Sequence, residues 1–384
     1  PTPYGWPSVH SYFGMYDVCG FPKDNVSYLK SWWGCEPVLH LFPHWNWEGL
    51  QGEPVKVVAY SNCDEVELFV NKKSAGRQTM EKNGHIEWMV PYKAGSIKAV
   101  GYKNGKKQLE QTRETTGKPA QLVLEPHKTN FVADGEDLAI FSVSVLDNKG
   151  RFVPIANNQV YFEIEGPGKI IGVGNGDNTC LEPDKYIDDV SILYFHNMKA
   201  KVIDGIENRT EVALGFDDSE WKSHFQIRNE IQKGTASVYR GTFNLPENVL
   251  DAKVNLFYNA IGDEQILYIN GKAISEKLEK KLGERYSFEL DKKLLKAGQN
   301  EFSIVAKPYT VRNLWDSPNT NPGVIQVIIP AQQYNRSLFS GYAQVLVQTS
   351  KEPGTIVLKA FSEGVKSTEF ILNSKKTELR SSVN

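Results

Sequence analysis

Two histidines, His40 and His44, have the i, i+4 spacing at which a helix presents both side chains on one face, an arrangement that suits a shared metal ion. Pro43 lies between them and lacks the backbone N–H that a helix interior requires. We therefore expect an extended segment, in which the two histidines are about 13 Å apart. That separation is too large for one ion, so packing is the better interpretation of both side chains and we expect no metal site.

The cysteines and a glycine-rich stretch give no reactive motif. Four scattered cysteines without CxxC spacing favour free, buried thiols over a disulfide framework or a zinc site: they are Cys19, Cys35, Cys63 and Cys180. Three alternate glycines neither form GxGxxG nor open a helix, so we expect no phosphate-binding loop at Gly172, Gly174 and Gly176. The sequence therefore predicts no cofactor.

The charge balance excludes several classes of partner. Lys and Arg total 44 against 46 Asp and Glu, a net charge of −2, so no basic field is present to hold nucleic acid or an anionic membrane. No apolar run approaches the ~20 residues that a membrane span needs, and none resembles a signal peptide. A length of 384 residues is typical of roughly three domains.

The first 47 residues contain five of the eight tryptophans and one helix signal. Pro22 and Asp24 are typical of a helix start, where a carboxylate caps free N–H groups, and Gly34 is a stop signal. Between them, apolar side chains follow helical spacing at Val26, Leu29 and Trp33. One short helix cannot bury so many rings, so we expect this segment to pack against a larger body and the protein to have a further N-terminal part.

From Glu53 onward the pattern is β. Apolar side chains recur at every second position, as in a half-buried strand, at Val66, Leu68 and Val70. The Asn-Gly dipeptides at 83–84 and 104–105 are those that two-residue hairpins prefer, because both central residues need positive φ. These signals predict an antiparallel sandwich that ends near the linker at residues 115–119.

Several long motifs resemble one family. The segments TPYGWPS, FGMYDVCGFPKD, SWW and LFPHWNW are similar to the end of the catalytic barrel in glycoside hydrolase family 2, in its bacterial β-galactosidase branch. In that family such a segment supplies the loop after the eighth barrel strand, then the eighth helix, then the exit into an immunoglobulin-like domain. DEVELFVNKKSAG, DLAIFSVSVLDNKGRFVP, GVGNGD and RSLFSGYAQVLVQTS resemble the modules that follow.

The resemblance also implies a domain order. The GNGD and RSLFSGYAQVLVQTS motifs follow one another closely in the family but lie far apart here, and between them GFDDSEWK and YRGTFNLP resemble a galactose-binding-like jelly roll. We therefore predict a mainly β chain of two immunoglobulin-like β-sandwiches, one interrupted by a jelly roll, preceded by the last loop and helix of a TIM barrel. The predicted parts are residues 1–36 for the truncated barrel end, 37–117 for the first sandwich, 118–185 and 323–384 for the split second sandwich, and 186–322 for the jelly roll.

The function implied is that of a retaining β-glycosidase, foremost a β-galactosidase, that removes terminal β-linked sugars from oligo- or polysaccharides. Family members use two Glu residues on barrel strands four and seven, held about 5 Å apart. Both strands would precede Pro1, so we assign no catalytic residue and expect the chain alone to be inactive. Asn229-Glu230 matches the family's acid/base dipeptide but lies inside the predicted jelly roll, and we interpret it as a surface pair.

The predicted contribution of this chain is the rim of the pocket. The resemblance places Trp6, Tyr4, His10 and Asp17 on the loop after strand eight, which faces the active site of a TIM barrel. An aromatic ring stacks on the apolar face of a sugar, and a carboxylate or imidazole hydrogen-bonds its hydroxyls. The alternative is that the two aromatic rings only pack the barrel mouth. In the jelly roll, Trp221, Tyr239 and Tyr258 could stack on sugar, with core packing as the alternative.

Two interpretations of the function of the whole chain remain. In the first, the partners are a β-linked oligo- or polysaccharide and the N-terminal catalytic part of the same protein. The second is a non-catalytic carbohydrate-binding or structural multi-module protein. The intact aromatic segment favours the first, since an orphaned barrel remnant would expose a large apolar face. The family resemblance favours a periplasmic or secreted bacterial protein.

Overall fold

The computed structural model describes residues 4–8, 12–223, 226–247, 252–276, 278–279, 285–309 and 323–379. The chain divides into two compact units, Pro1–Tyr186 with Gln333–Asn384, and Ile187–Gln332. Strands dominate both units, so the predicted mainly β fold is confirmed. The structure contains two α-helices in its described part, α1 (Asp24–Trp33) in the first unit and α2 (Arg228–Lys233) in the second.

Helix α1 lies against the first sandwich. Tyr28 contacts the ring of Tyr60 at 5.3 Å and donates a hydrogen bond to the carbonyl of Asn83 at 2.7 Å, while Trp32 packs on the sandwich core. The expected cap by Asp24 is wrong, because the side chain makes no cap bond. Its Oδ1 lies 2.7 Å from Nε2 of His40 instead.

The first sandwich has two antiparallel sheets, ordered β1-β2-β5 and β4-β3-β6-β7. Their strands are β1 (Leu39–Phe42), β2 (Pro54–Ser61), β3 (Glu65–Val70), β4 (Lys73–Thr79), β5 (Ile86–Pro91), β6 (Ser96–Lys103) and β7 (Lys106–Glu114). The predicted alternation holds, since Val66 and Leu68 are buried and Val70 packs against the same core. His40 lies on β1, which ends at Phe42, so the extended backbone predicted between His40 and His44 is confirmed for residues 40–42.

The two Asn-Gly dipeptides have different outcomes. Asn104 and Gly105, at φ 49° and 75°, close the hairpin between β6 and β7 as predicted. Residues 83–84 instead lie in the connection from β4 to β5, which belong to different sheets, so the hairpin predicted there is wrong. Asn83 has the positive φ of 60° that the dipeptide signals, but here the turn redirects the chain between layers.

The second sandwich begins after the linker. Its first strands are β8 (Pro119–Pro126), β9 (Phe131–Val132), β10 (Leu138–Asp147), β11 (Gln159–Glu165) and β12 (Gly168–Gly174). The linker is tied to this sandwich because the N–H of Gly117 donates to Oδ2 of Asp147 at 2.8 Å. The same carboxylate group receives the guanidinium of Arg151 at 2.6 Å, so one buried acid joins the linker and the following turn.

The second unit, Ile187–Gln332, is a two-sheet β structure. Its strands are β13 (Asp189–Tyr194), β14 (His196–Ile203), β15 (Lys222–Ser223), β16 (Ala236–Leu245), β17 (Lys253–Asn259), β18 (Glu264–Ile269), β19 (Lys272–Ala273), β20 (Leu278–Glu279), β21 (Arg285–Glu289), β22 (Gly298–Lys307) and β23 (Gly323–Ile329). The four-stranded sheet runs β13-β23-β17-β21 and the larger one β15-β14-β16-β22-β18-β19, with β20 on β18. Phe243 and Phe302 from the larger sheet share one core with Leu256 and Ile325 from the smaller.

The first unit is completed by β24 (Asn335–Ser337), β25 (Tyr342–Thr349), β26 (Gly354–Ser362) and β27 (Val365–Lys375). Strand β25 pairs with both β10 and β12, and β26 pairs with β11, so strands on either side of the second unit in sequence form one sandwich. Asn175 bridges the same gap, donating from Nδ2 to the carbonyl of Ser337 at 2.9 Å. The buried faces of these strands form a single core that includes Phe141, Phe162 and Val345.

Candidate functional site

The loop before α1, here called the rim loop (residues 4–8 and 12–23), is shaped by a turn around Asp17. Oδ1 of Asp17 accepts hydrogen bonds from the backbone N–H groups of Cys19 and Phe21, each at 2.9 Å. The N–H of Asp17 also donates to the carbonyl of Phe21 at 2.9 Å. One carboxylate oxygen therefore replaces missing backbone partners in this turn and fixes its shape.

The rim loop packs on the second sandwich. Sγ of Cys19 donates to the carbonyl of Asn175 at 3.1 Å, and Nε2 of Gln344 donates to the carbonyl of Cys19 at the same distance. The ring of Phe21 stacks on Tyr342 at 5.0 Å. The loop is therefore held in place by contacts between residues that are at least 156 positions apart in the sequence.

A glycine-rich segment makes this close approach possible, here called the glycine loop (residues 174–178). A Cβ at Gly174 would lie 2.7 Å from Sγ of Cys19, and one at Gly176 would overlap the Asp17 carboxylate. The glycines that gave no phosphate-binding motif in the sequence therefore serve another purpose. They let the rim loop approach the backbone of the second sandwich.

The other end of the rim loop is held by the same segment. Nδ2 of Asn178 donates to Oγ of Ser8 at 3.3 Å, and both side chains are buried, 8% and 7% exposed. The glycine loop thus contacts the rim loop near Ser8 and again near Asp17. Trp6, two residues before Ser8, is presented from an anchored backbone.

The predicted rim residues differ in what they expose. The ring of Trp6 is 78% exposed and open to a ligand, whereas Tyr4 packs edge-on against Tyr12 at 4.4 Å. The carboxylate of Asp17 faces its own turn and Gly176. His10 lies outside the described residues. The structure therefore brings Trp6, Tyr4 and Asp17 onto one loop, and Trp6 is the one whose ring is mostly open.

Cys19 is not a nucleophile in this setting. Burial, and then the neighbouring Asp17 carboxylate, raise the pKa of its thiol to about 12. A thiol that stays protonated at neutral pH is unreactive, since the thiolate is the nucleophile. The sulfur instead donates its hydrogen to Asn175, as a packing contact.

The candidate rings of the second unit lie mainly in cores. Tyr258 is 1% exposed and its hydroxyl bonds Oε1 of Gln265, so it has no face open to a sugar; burial raises the pKa of this phenol. Trp221 packs near Phe216 at 5.7 Å, and Tyr239 packs against two of the hydrophobic clusters. Tyr239 and Tyr258 lie on strands β16 and β17, where alternation gives the period but not which face is covered, whereas Trp221 precedes β15.

Sequence reasoning missed a charged cluster beside them. Arg240, 4% exposed, pairs with Oδ2 of Asp218 at 3.0 Å and with Oε2 of Glu301 at 2.7 Å. Lys199 binds the other oxygen of Asp218 at 3.0 Å. Asp218 belongs to the DDSEW motif, which could have flagged it, but its partners lie on β14, β16 and β22. The cluster ties the segment before β15 to the larger sheet and borders a cleft of about 540 Å³.

Asn229-Glu230 lies in α2, on the surface of the second unit. Glu230 is exposed and its Oε1 lies 3.6 Å from Nζ of Lys222. Within the described residues, no group of three or more His, Cys, Asp or Glu side chains is arranged to hold a metal ion. Neither described helix has the length and apolar character required to cross a bilayer.

Comparison with protein families gives three matches along the chain. Residues 52–109 match a domain of unknown function, 122–189 match "Glycoside hydrolase family 2 C-terminal domain 5", and 213–310 match "Beta-galactosidase second all-beta domain". Residues 122–189 and 213–310 are therefore similar to β domains of glycoside hydrolases. More particularly, the match over residues 122–189 indicates similarity to the C-terminal portion of family 2 glycoside hydrolases.

The curated relatives are named as β-galactosidases and β-glucuronidases. A β-galactosidase, BoGH2A, from Bacteroides ovatus is 45% identical over 184 residues, covering 47% of this chain and 21% of the relative. A putative β-glucuronidase from Formosa agariphila is 36% identical over 168 residues, covering 43% and 16%. A β-galactosidase from Thermoanaerobacter pseudethanolicus is 33% identical over 187 residues, covering 42% and 24%. The chain thus spans a quarter or less of the length of these relatives.

Solved structures share the fold. A β-glycosidase from Bacteroides vulgatus superimposes with a TM-score of 0.55 at 19% identity, covering 96% of this chain and 29% of that one. A β-glucuronidase from glycoside hydrolase family 2 gives 0.51 at 21% identity, covering 96% and 23%. At this identity the likeness shows the fold alone and carries no argument about substrate.

Proposed function

We propose that this chain is the C-terminal part of a retaining β-glycosidase, with β-galactosidase as the favoured activity. The catalytic Glu pair belongs to a preceding barrel of the same protein, and this chain supplies part of the pocket rim and the β domains behind it. The observation that carries the proposal is the rim loop, an aromatic loop anchored at Ser8 and Asp17 by the glycine loop, with the Trp6 ring open.

The physical role of the second sandwich follows from those contacts. A loop with an exposed Trp loses conformational entropy when it binds sugar, unless it is ordered beforehand. The Asp17 turn, the Ser8 to Asn178 bond and the Phe21 to Tyr342 stack order the backbone in advance. The β domains would therefore act as the support of a preorganised binding loop.

Galactose is the favoured sugar because the relative with 45% identity and the match over residues 213–310 are both named for β-galactosidase. The β-glucuronidases among the relatives make the glucuronide the competing substrate. Trp6 and Tyr4 are proposed to contact the sugar, and Asp17 to hold the loop in shape. His10 is retained as a proposed contact from the sequence.

The test is hydrolysis of nitrophenyl β-galactoside and β-glucuronide by this chain and by a longer form that includes the preceding barrel. We expect no turnover of either substrate by the chain alone, and turnover of the galactoside by the longer form. Hydrolysis by the chain alone would overturn the assignment of the Glu pair to the barrel. A longer form that binds β-linked sugars without hydrolysing any would favour the non-catalytic interpretation. Faster hydrolysis of the glucuronide than of the galactoside would overturn the assignment of galactose as the favoured sugar.

A further inference from the structure

The first unit contains a cleft of about 490 Å³, here called the Arg113 cleft, whose lining does not include Trp6. It is bounded by the start of α1, the end of β1 with the residues after it, the end of β7, the turn at residues 151–154, and β25. Its aromatic walls come from both sandwiches, and they are Phe42, Phe152 and Tyr342. Both the volume and the ring-lined walls suit a sugar unit.

The charge of Arg113 is unmatched in this cleft. Nε of Arg113 donates to the carbonyl of Leu41 at 3.0 Å, which orients the guanidinium. In the described part of the chain, no carboxylate lies at ion-pair distance from this side chain. Burial lowers the pKa of Arg113, and the more distant charge of Asp24 offsets this only in part.

The other charged groups lining the cleft already have partners. Arg151 pairs with Asp147 at 2.6 Å and approaches Glu114 at 3.8 Å. Asp24 lies 2.7 Å from Nε2 of His40. Burial lowers the pKa of His44, another lining residue, which favours its neutral form. The lining is balanced in charge, with Asp24 and Glu114 against Arg113 and Arg151. Among these groups Arg113 is the one with no partner at ion-pair distance in the described residues, and a half-buried guanidinium without a partner favours a planar anion such as a carboxylate.

The cleft continues from the rim loop. Tyr342 stacks on Phe152 at 4.5 Å inside the cleft and on Phe21 of the rim loop at 5.0 Å. Asp24, at the cleft edge, follows the rim loop directly in sequence. The cleft and the rim loop therefore adjoin at Tyr342 and Asp24.

We propose that the Arg113 cleft is a binding subsite for a carboxylate-bearing sugar unit, in which Arg113 pairs with the carboxylate and the aromatic walls pack on the ring. This rests on the proposed function, since it names a second binding position for the saccharide substrate. The reacting sugar stays at Trp6, so the acidic unit belongs to the remote part of an oligo- or polysaccharide.

The experiment is a titration of the 384-residue chain with galacturonate, its methyl ester, galactose and acetate, followed by chemical shift changes and calorimetry. Galacturonate should bind with saturation and shift signals of residues 112–116 and 151–154. The ester and galactose should bind at least tenfold more weakly, because they lack the charge. Acetate should also be at least tenfold weaker, because it lacks the ring.

The variant Arg113→Gln should weaken galacturonate binding at least tenfold, whereas Arg77→Gln should not, since Arg77 lies in the same sandwich outside the cleft lining. Equal binding of galacturonate and its ester to the unaltered chain overturns the proposal, even if the Gln variant fails to fold. If acetate binds as tightly as galacturonate, the claim that the cleft recognises the sugar ring is overturned. This titration measures binding and not hydrolysis. If the longer form hydrolyses β-glycosides but the chain does not bind galacturonate, the subsite is refuted and the proposed function is unaffected.

Discussion

Gly176 lies directly against the carboxylate of Asp17, so that a Cβ at position 176 would stand 2.8 Å from Cγ of that side chain. The Asp17 carboxylate cannot swing aside freely, because its Oδ1 holds the N–H groups of Cys19 and Phe21. A loop of the second sandwich and the turn of the rim loop are thus fitted to each other.

Gly176→Ala should separate the rim loop from the second sandwich. The added methyl overlaps the Asp17 carboxylate, and overpacking of this kind costs roughly 1–3 kcal/mol. Hydrogen exchange at the amides of Cys19 and Phe21 should speed up, with a lower free energy of unfolding. Gly205→Ala is the matched control, because nothing lies within 4 Å of its added Cβ. Unchanged exchange in the Gly176 variant would contradict the contact.

Asp17 variants should separate a structural from a substrate-binding role. Asp17→Ala removes the acceptor of two backbone hydrogen bonds and should cost about 1–3 kcal/mol in unfolding free energy. Asp17→Asn keeps an oxygen at Oδ1 and should cost less than half of that. In the longer form, the Asn variant should keep KM for the galactoside within about threefold. A large rise in KM with normal stability would show that the carboxylate binds substrate directly.

Several features were readable in the sequence because their causes are local. The period-two pattern around Val66 and the Asn104-Gly105 turn depend on neighbouring residues, and so did the helix that ends before Gly34. The Gly176 contact with Asp17 was not readable, because the two residues are distant in the chain and glycine signals a close approach without naming its partner. The Arg240 cluster was hidden for the same reason, since its acids come from separate elements.

Arg240→Met should destabilise the second unit strongly. The substitution leaves Asp218 and Glu301 without their guanidinium partner, and removing one member of a buried pair costs about 3–5 kcal/mol. Denaturant unfolding followed at Trp221, which lies near this segment, is the measurement. Lys253→Met is the control: its pair with Glu289 is exposed on both sides and should contribute less than about 1 kcal/mol. Similar midpoints for the two variants would contradict a structural role for the cluster.

Asp147 should make the first unit sensitive to acid. Burial opposes its ionisation, but the Arg151 side chain and the N–H groups of Gly117, Arg151 and Lys149 outweigh it and lower the pKa. The folded-state pKa is thus below the unfolded value of about 3.9, so the stabilisation is complete above that value and is lost as pH falls toward the folded pKa.

The test compares unfolding free energies at pH 7 and pH 3 for the unaltered chain and for Asp147→Asn. The loss on acidification should be smaller in the Asn variant, because that variant lacks the titrating carboxylate. Glu352→Gln, at an exposed position, should leave the loss unchanged. An equal loss in the Asp147 variant would show that other acids govern the acid response.

The most direct measurement of the proposed rim is kcat/KM for nitrophenyl β-galactoside in the longer form, with Trp6 or with Trp6→Ala. Loss of one stacking ring should cost about 1.5 kcal/mol, or roughly tenfold, while the melting temperature stays unchanged because the ring is 78% exposed. Trp33→Ala removes a ring that is 79% exposed but lies on α1, outside the rim loop, and should leave KM unchanged. A tenfold fall confined to the Trp6 variant is the predicted result, and full activity without the Trp6 ring would contradict a pocket rim supplied by this chain.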